Sequence, residues 1–199
     1  RTWTVTDYCG NSSTGSSPHV ISVVDSTGPI ISCPSSSLLS RKADTMTCHF
    51  TVPDVSLDAV AMDECTDTST VINSWNSSHT LLGEEFTVGD HTITWTATDE
   101  CGNTSTCQYV LHVFEIEPPV AICRDFNIYL DSLGLFTLNI DSINNGSTDN
   151  CGIKSMKLSR YLFGCDDLPK RTVILTVTDS TGLSDTCTAN LNIIDTIRP

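Results

Sequence analysis

Ten cysteines carry the most specific chemistry in this 199-residue chain. No two of them form a C-x-x-C pair, so their spacing does not match a zinc site. Disulfide bonds are the alternative use of so many cysteines, and they form in oxidising compartments. We therefore expect a disulfide-bonded chain in an extracellular setting.

Carboxylates are the second group that could do chemistry. Several acidic residues fall in predicted loops and linkers, namely Asp25, Asp63, Glu64, Asp67, Asp99 and Glu100. Carboxylates that converge between tandem units could bind Ca²⁺, with Asp25, Asp63 and Asp99 as the candidate ligands. The chain has no regular D-x-[DN]-x-[DN]-G loop, and a solvated acidic surface is the alternative. No other metal or cofactor is expected.

Catalytic motifs are absent from the sequence, which lacks G-x-S-x-G, G-x-G-x-x-G, a P-loop and H-E-x-x-H. Its five histidines are scattered without ligand spacing, at positions 19, 49, 79, 91 and 112. We therefore predict that the chain is not an enzyme. Trp75 could stack on a carbohydrate, but a core position in a β-sandwich is the favoured interpretation.

Four N-x-S/T sequons are candidate sites of N-glycosylation, at Asn11, Asn76, Asn103 and Asn145. All four lie in predicted loops of an extracellular chain, and we expect sugar on at least one of them. Asn11 and Asn103 have an alternative explanation. Each follows a glycine in a hairpin turn, where asparagine suits the backbone conformation.

The elements that position these residues follow from an internal repeat. An apolar residue followed by Thr-x-Thr-Asp occurs at residues 3–7, 95–99 and 175–179. Further along, Asp25, Glu115 and Asp195 each precede a proline by four residues. A period of about 80 to 90 residues is too long for a solenoid turn and typical of a small β-domain.

Strand periodicity defines the fold class. Ile93, Trp95 and Ala97 alternate with threonines, and the following segment alternates in the same way through Tyr109 and Leu111. Ser and Thr make up about a quarter of the chain, which suits turns and pleated strands. The sequence predicts an all-β protein of tandem β-sandwiches, with residues 54–65 as the only weak helical pattern.

The repeat also predicts the domain boundaries. Residues 1–28 form the closing hairpin of an incomplete domain, 29–118 a full unit, and 119–199 a second unit that ends where another repeat would begin. Two strands alone are not stable in water. The first hairpin is therefore expected to be completed by upstream chain or by a neighbouring subunit.

Charge and hydropathy exclude several classes of partner. The formal charge is -14 and the pI is near 4.4, so the surface repels nucleic acids and anionic lipids. No run of about 18 apolar residues is present, so no insertion into a membrane is expected in this segment.

The central unit resembles the HYR, or hyalin repeat, domain. The resemblance rests on the Asp-Glu-Cys-Gly-Asn-Thr run of residues 99–104 followed by Cys107, the opening Pro29-x-x-x-Cys33-Pro34, and Asp63-Glu64-Cys65. In the last unit Ser180 is taken to replace Cys101, and Thr181-Gly182 to replace Gly-Asn. The resemblance implies immunoglobulin-like sandwiches in tandem in an extracellular or cell-surface protein.

Such sandwiches place the opening strand beside the closing one, which implies disulfide pairing of Cys33 with Cys107 and of Cys123 with Cys187. Loops at one pole would pair Cys65 with Cys101, and Cys151 would then pair with Cys165. Cys9 and Cys48 are left unpaired or intermolecular. The sequence does not fix this connectivity, and pairing of Cys33 with Cys48 stays open.

The predicted function is structural or adhesive: a segment of a surface stalk, an adhesin or a filament. The partners would be neighbouring repeats of the same chain or identical subunits of a polymer. The alternative is a module that binds glycans or surface proteins, including a noncatalytic appendage of a secreted enzyme.

Overall fold

The computed structural model describes residues 2–16, 22–35, 38–64 and 69–196. Cys65 and Asp67, singled out above, lie outside these ranges. The described residues form sixteen strands: β1 (Trp3–Thr6), β2 (Ser12–Gly15), β3 (Ile30–Ser32), β4 (Leu38–Lys42), β5 (His49–Thr51), β6 (Val60–Met62), β7 (Thr70–Asn73), β8 (Glu85–Thr87), β9 (Gly89–Thr98), β10 (Thr104–Phe114), β11 (Phe126–Tyr129), β12 (Leu135–Thr137), β13 (Ile153–Leu158), β14 (Leu162–Gly164), β15 (Lys170–Asp179) and β16 (Ser184–Ile194).

Helical structure is limited to short pieces, so the predicted all-β class is confirmed. The one α-helix among the described residues is α1 (Ile140–Ile143), and 3-10 turns occur at Val55–Leu57 and Cys165–Asp167. The helical pattern over 54–65 gives only the first of these turns, capped by the Asp54 side chain, before β6 begins at Val60. In the described ranges no helix is long and apolar enough to cross a membrane.

The first β-sandwich contains a four-stranded sheet in the order β4-β10-β9-β7. Strands β10 and β9 pair antiparallel, whereas β4 pairs parallel with β10. The alternation in β9 buries Ile93, Trp95 and Ala97 completely. Phe50 on β5 and Phe86 on β8 pack onto the same cluster, so the β5–β8 pair closes the sandwich.

A second sandwich repeats this arrangement. Its sheet has the order β11-β16-β15-β13, with β11 parallel to β16 and the two long strands antiparallel. The inward positions of β15, Val173, Leu175 and Val177, are fully buried. Phe163 on β14 joins this core as Phe86 joins the first. The two units therefore have equivalent sheets and separate cores.

Strands β1 and β2 form the predicted N-terminal hairpin. Their register runs from Trp3 opposite Gly15 to Thr6 opposite Ser12. All eight residues of the two strands are exposed, and no other described strand pairs with them.

Candidate functional site

Two disulfides join the start of each sandwich to its last long strand. Cys33, just after β3, is bonded to Cys107 on β10, with Cα atoms 5.8 Å apart. Cys123 is bonded to Cys187 on β16, with Cα atoms 5.7 Å apart. These are the two pairs that the sandwich arrangement implied. All four cysteines pack against the cores.

A third disulfide crosses from one sandwich to the other. Cys48 is bonded to Cys151 across 103 residues, with Cα atoms 4.8 Å apart. The expected pairing of Cys151 with Cys165 is therefore wrong, and so is the expectation that Cys48 is unpaired or intermolecular. Cys151 and Cys165 cannot meet because they lie at opposite ends of strand β15. Cys151 is near the end of the strand at Asp179, and Cys165 is near its start at Lys170.

Three further cysteines are exposed and have no disulfide partner among the described residues: Cys9, Cys101 and Cys165. Cys165 Sγ lies 3.8 Å from the carbonyl oxygen of Gly134, at the pole of the second sandwich opposite Asp179. The predicted pairing of Cys65 with Cys101 falls outside the described residues.

We call residues 46–48, 115–117 and 149–151 the interunit junction. The Asn150 side chain donates a hydrogen bond to the Thr47 carbonyl oxygen at 2.7 Å. The backbone N–H of Met46 donates to Glu117 Oε2 at 2.9 Å. The Asn150 bond and the Cys48–Cys151 disulfide join the two sandwiches, whereas the Met46 bond holds the linker against the first sandwich.

The repeated aspartate organises the turn of each hairpin. Asp99 Oδ1 accepts the Asn103 N–H at 2.8 Å, and Asp7 makes the equivalent bond to Asn11 at 2.9 Å. Asp179 Oδ1 accepts three backbone N–H groups, from residues 181 to 183, at 2.6 to 2.9 Å. The carboxylate thus supplies acceptors that the tight turn requires.

These turns correct the sequence alignment of the repeats. Asp99 N–H bonds to the Asn103 carbonyl oxygen, and Asp179 N–H bonds to that of Leu183, so both turns have the same length. Gly182 therefore occupies the place of Gly102, both with positive φ, and Thr181, not Ser180, occupies the place of Cys101. The third turn keeps the glycine of the motif and lacks its cysteine.

Glu115, Asp149 and Asp179 form a cluster of carboxylates at the junction. Each offers an oxygen, and these oxygens lie within 4.8 Å of one another. Glu115 follows β10 of the first sandwich, whereas Asp149 and Asp179 belong to the second. Glu115 is 8% exposed and Asp179 is fully buried. The three side chains bring negative charge from both units to one buried point.

Donors are missing around this cluster. Both oxygens of Glu115, Oδ2 of Asp149 and Oδ2 of Asp179 are buried and accept no hydrogen bond from the described residues. Burial raises the pKa of Glu115, an effect that a contact with the Asn150 side chain opposes and that the charges of Asp149 and Asp179 reinforce.

A second cluster contains the three predicted calcium ligands. Asp25, Asp63 and Asp99 each place an oxygen within 4.8 Å of the others, and Asp99 is buried. The Asn103 side chain donates to the Asp25 carbonyl oxygen at 3.3 Å, linking the turn to the segment before β3. Glu64 and Glu100 are exposed.

The two clusters occupy equivalent places in the repeat. Glu115 corresponds to Asp25, because each precedes a proline by four residues, and Asp179 corresponds to Asp99 at the end of the repeated strand. The calcium hypothesis from the sequence named only Asp25, Asp63 and Asp99. The signal that would have found Glu115 and Asp179 was therefore present in the repeat.

The four sequons differ in how their asparagines are placed. Asn76 and Asn145 are exposed, as is Asn11, whose side chain bonds to Asp7. The Asn103 side chain is partly buried and donates to both Asp99 and Asp25. Asn103 therefore has the turn function that was its alternative explanation.

Trp75 does not lie in the core, contrary to the favoured interpretation. Its side chain is 43% exposed, whereas Trp95 is fully buried. The Trp75 ring packs on Phe86 with centroids 4.4 Å apart, and its Nε1 donates to Glu84 Oε2 at 3.2 Å. It lies in the turn after β7, where the chain leaves the sheet.

Comparison with known proteins identifies the central unit. Residues 24–113 match the HYR domain family, which confirms the resemblance seen in the sequence. No curated protein matches the chain.

Solved structures of cadherin ectodomains are similar in part. Human mucin-like protocadherin EC1-2 has 11% identity and a TM-score of 0.44, and the match covers 83% of this chain and 98% of that one. Drosophila N-cadherin EC1-4 has 12% identity and a TM-score of 0.44. That match covers 84% of this chain and 50% of the N-cadherin chain.

Proposed function

We propose that this chain is a segment of an extracellular tandem β-sandwich array with a structural or adhesive function, as in a surface stalk, an adhesin or a filament. The observation that carries the proposal is the junction. Two equivalent sandwiches are joined in series, and a disulfide between Cys48 and Cys151 locks them together. A fixed junction supports a role in which the spacing of the units matters.

The proposed units are residues 1–28, 29–118 and 119–199. The separate cores support the division between the last two, since one core ends at Val113 and the other begins at Ile128. The β1–β2 hairpin supports an incomplete first unit, because both of its faces are exposed. Its partner in the proposal is upstream chain or an identical subunit that adds strands to it.

The surface suits an extracellular location. Three disulfides are typical of an oxidising compartment, and a net charge of -14 keeps the chain soluble. The exposed sequons at Asn11, Asn76 and Asn145 are the proposed sites of sugar. The proposal includes no catalytic activity, and a structural calcium ion is its only cofactor.

Immunoelectron microscopy of the native material tests this function. Antibodies raised against residues 29–199 should label fibres or stalks at regular intervals. A secreted enzyme that carries this segment as an appendage would instead give label on single dispersed particles, and that result would overturn the proposal. Preimmune serum is the control.

A second candidate function is binding of glycans at Trp75. The half-exposed indole, held by Phe86 and bonded to Glu84, resembles the aromatic platforms on which sugars stack. Trp75→Ala should abolish binding on a glycan array if this is the function. Tyr129→Ala, which removes an aromatic ring that is 56% exposed in the other sandwich, is the matched control.

A further inference from the structure

Four buried carboxylate oxygens of the junction cluster have no hydrogen-bond partner among the described residues. The four ion pairs among the described residues involve other acidic residues: Glu85, Asp90 and Asp167. None of these ion pairs includes Glu115, Asp149 or Asp179. Burying ionised carboxylates without partners is strongly unfavourable.

Glu115 makes the strongest case for a missing partner. The side chain is more than nine-tenths buried, and neither carboxylate oxygen accepts a hydrogen bond. Glu115 could extend into solvent from a linker, yet it points to Asp149 and Asp179. Repulsion between like charges would oppose this orientation unless a cation lay between them.

The geometry and the ligand chemistry select the cation. Oxygens that bind one Ca²⁺ ion at 2.3 to 2.6 Å lie within about 5 Å of each other, which matches the 4.8 Å limit of this cluster. The donors are carboxylate oxygens, without histidine or thiolate, so zinc is disfavoured. Mg²⁺ requires a stricter octahedron and retains its water more strongly.

We propose that Glu115, Asp149 and Asp179 bind a calcium ion at the interunit junction. The ion is held by Glu115 from one sandwich and by two aspartates from the other. It therefore fixes the junction together with the Cys48–Cys151 disulfide. This site stands on its own geometry and does not depend on the array function.

Calorimetric titration of the full 199-residue chain with CaCl2, after removal of metal with a chelator, tests the proposal. An ion should bind at this site with a dissociation constant of roughly 10⁻⁵ to 10⁻³ M, from the weak end of the calcium sensors to the extracellular modules. Glu115→Gln should bind one ion fewer. The control Asp166→Asn removes an exposed carboxylate at the opposite pole of the second sandwich and should bind as the wild type does.

Thermal unfolding is a second test, because Glu115→Gln should have opposite effects on stability without and with calcium. In chelator, Glu115→Gln should melt at a higher temperature than the wild type, because it removes one of three buried like charges. In 5 mM CaCl2 the wild type should gain several degrees and Glu115→Gln clearly less. Millimolar MgCl2 should give a much smaller shift.

Two results would overturn the proposal. One is a wild-type chain that binds no calcium at 10 mM. The other is a folded Glu115→Gln variant with the wild-type stoichiometry and affinity, which would place the bound ions elsewhere. Circular dichroism establishes that each variant is folded, and neither result bears on whether the chain belongs to an array.

Discussion

At the residue scale, Asp167 shows how a single carboxylate can anchor a loop. The side chain is buried and receives both Nη atoms of Arg160 at 2.8 Å, Nε of Arg171 at 3.1 Å and the Gly164 N–H at 3.0 Å. The Gly164 N–H, and then the two arginines, lower the pKa of Asp167.

Asp167→Asn should lower the melting temperature at pH 7, because the amide keeps one acceptor oxygen and points a donor at a guanidinium. A carboxyl group with a lowered folded-state pKa stabilises the fold above its unfolded pKa of about 3.9. The difference between wild type and variant should therefore be constant above about pH 5 and shrink as the pH falls below 4.

The control for this measurement is Asp166→Asn, which changes the same charge one residue away on an exposed side chain. It should follow the wild-type curve. A difference between Asp167→Asn and wild type that persists unchanged down to pH 2 would contradict the ionic explanation.

At the scale of elements, the alternation of buried and exposed residues in β15 predicts that truncating neighbouring side chains lowers the free energy of unfolding by very different amounts. Leu175 is fully buried, whereas Ile174 is 44% exposed on the other face. Leu175→Ala should lower the free energy of unfolding by about 2 to 5 kcal/mol, because it leaves a cavity in the core. Ile174→Ala should cost less than about 1 kcal/mol. Urea denaturation measures both, and similar values would contradict the assigned strand register.

The segment that leads into β3 is positioned by a glycine. A Cβ atom on Gly28 would lie 2.9 Å from the Thr104 carbonyl oxygen and 2.8 Å from Ser105 Oγ, at the start of β10. Gly28→Ala should therefore cost roughly 1 to 3 kcal/mol in unfolding free energy. Gly15→Ala, where a Cβ would meet nothing within 4 Å, is the matched control and should change stability little.

Strands and their faces were predictable from the sequence because burial alternates with a period of two. Residues such as Trp95 and Val177 are inward in both the pattern and the structure. The position of Trp75 was not predictable from that rule, since it follows the end of β7 and no alternation extends to it. Local periodicity carries no information about where a turn places its side chains.

At the scale of the whole molecule, the long-range disulfides show the same limit. The disulfides within each sandwich were predictable because the first and last strands of such a sandwich lie side by side. The Cys48–Cys151 bond depends on how two units meet, which no pattern within one unit specifies. The buried carboxylates of the junction differ, because the repeat already aligns Glu115 with Asp25. Only the meeting of Glu115 with side chains of the other unit depends on how the units join.

Removing the bond between the units should destabilise the chain measurably. The chain-entropy estimate for a loop of this order is roughly 5 kcal/mol, so Cys48→Ser with Cys151→Ser should shift the urea midpoint clearly downward. Cys165→Ser, which removes a free thiol, should not. Peptide mapping without reduction supplies the direct check, and a Cys151–Cys165 peptide would contradict the connectivity.

The two disulfides within the sandwiches have a mechanical consequence. When the chain is pulled from its ends, tension passes from Cys33 directly to Cys107 and from Cys123 directly to Cys187, bypassing segments with separations of 74 and 64 residues. At about 3.4 Å per extended residue, each disulfide prevents roughly 200 to 250 Å of chain from extending. Under oxidising conditions these two segments cannot extend, and their length becomes available only when the disulfides are reduced and the sandwiches unfold under load.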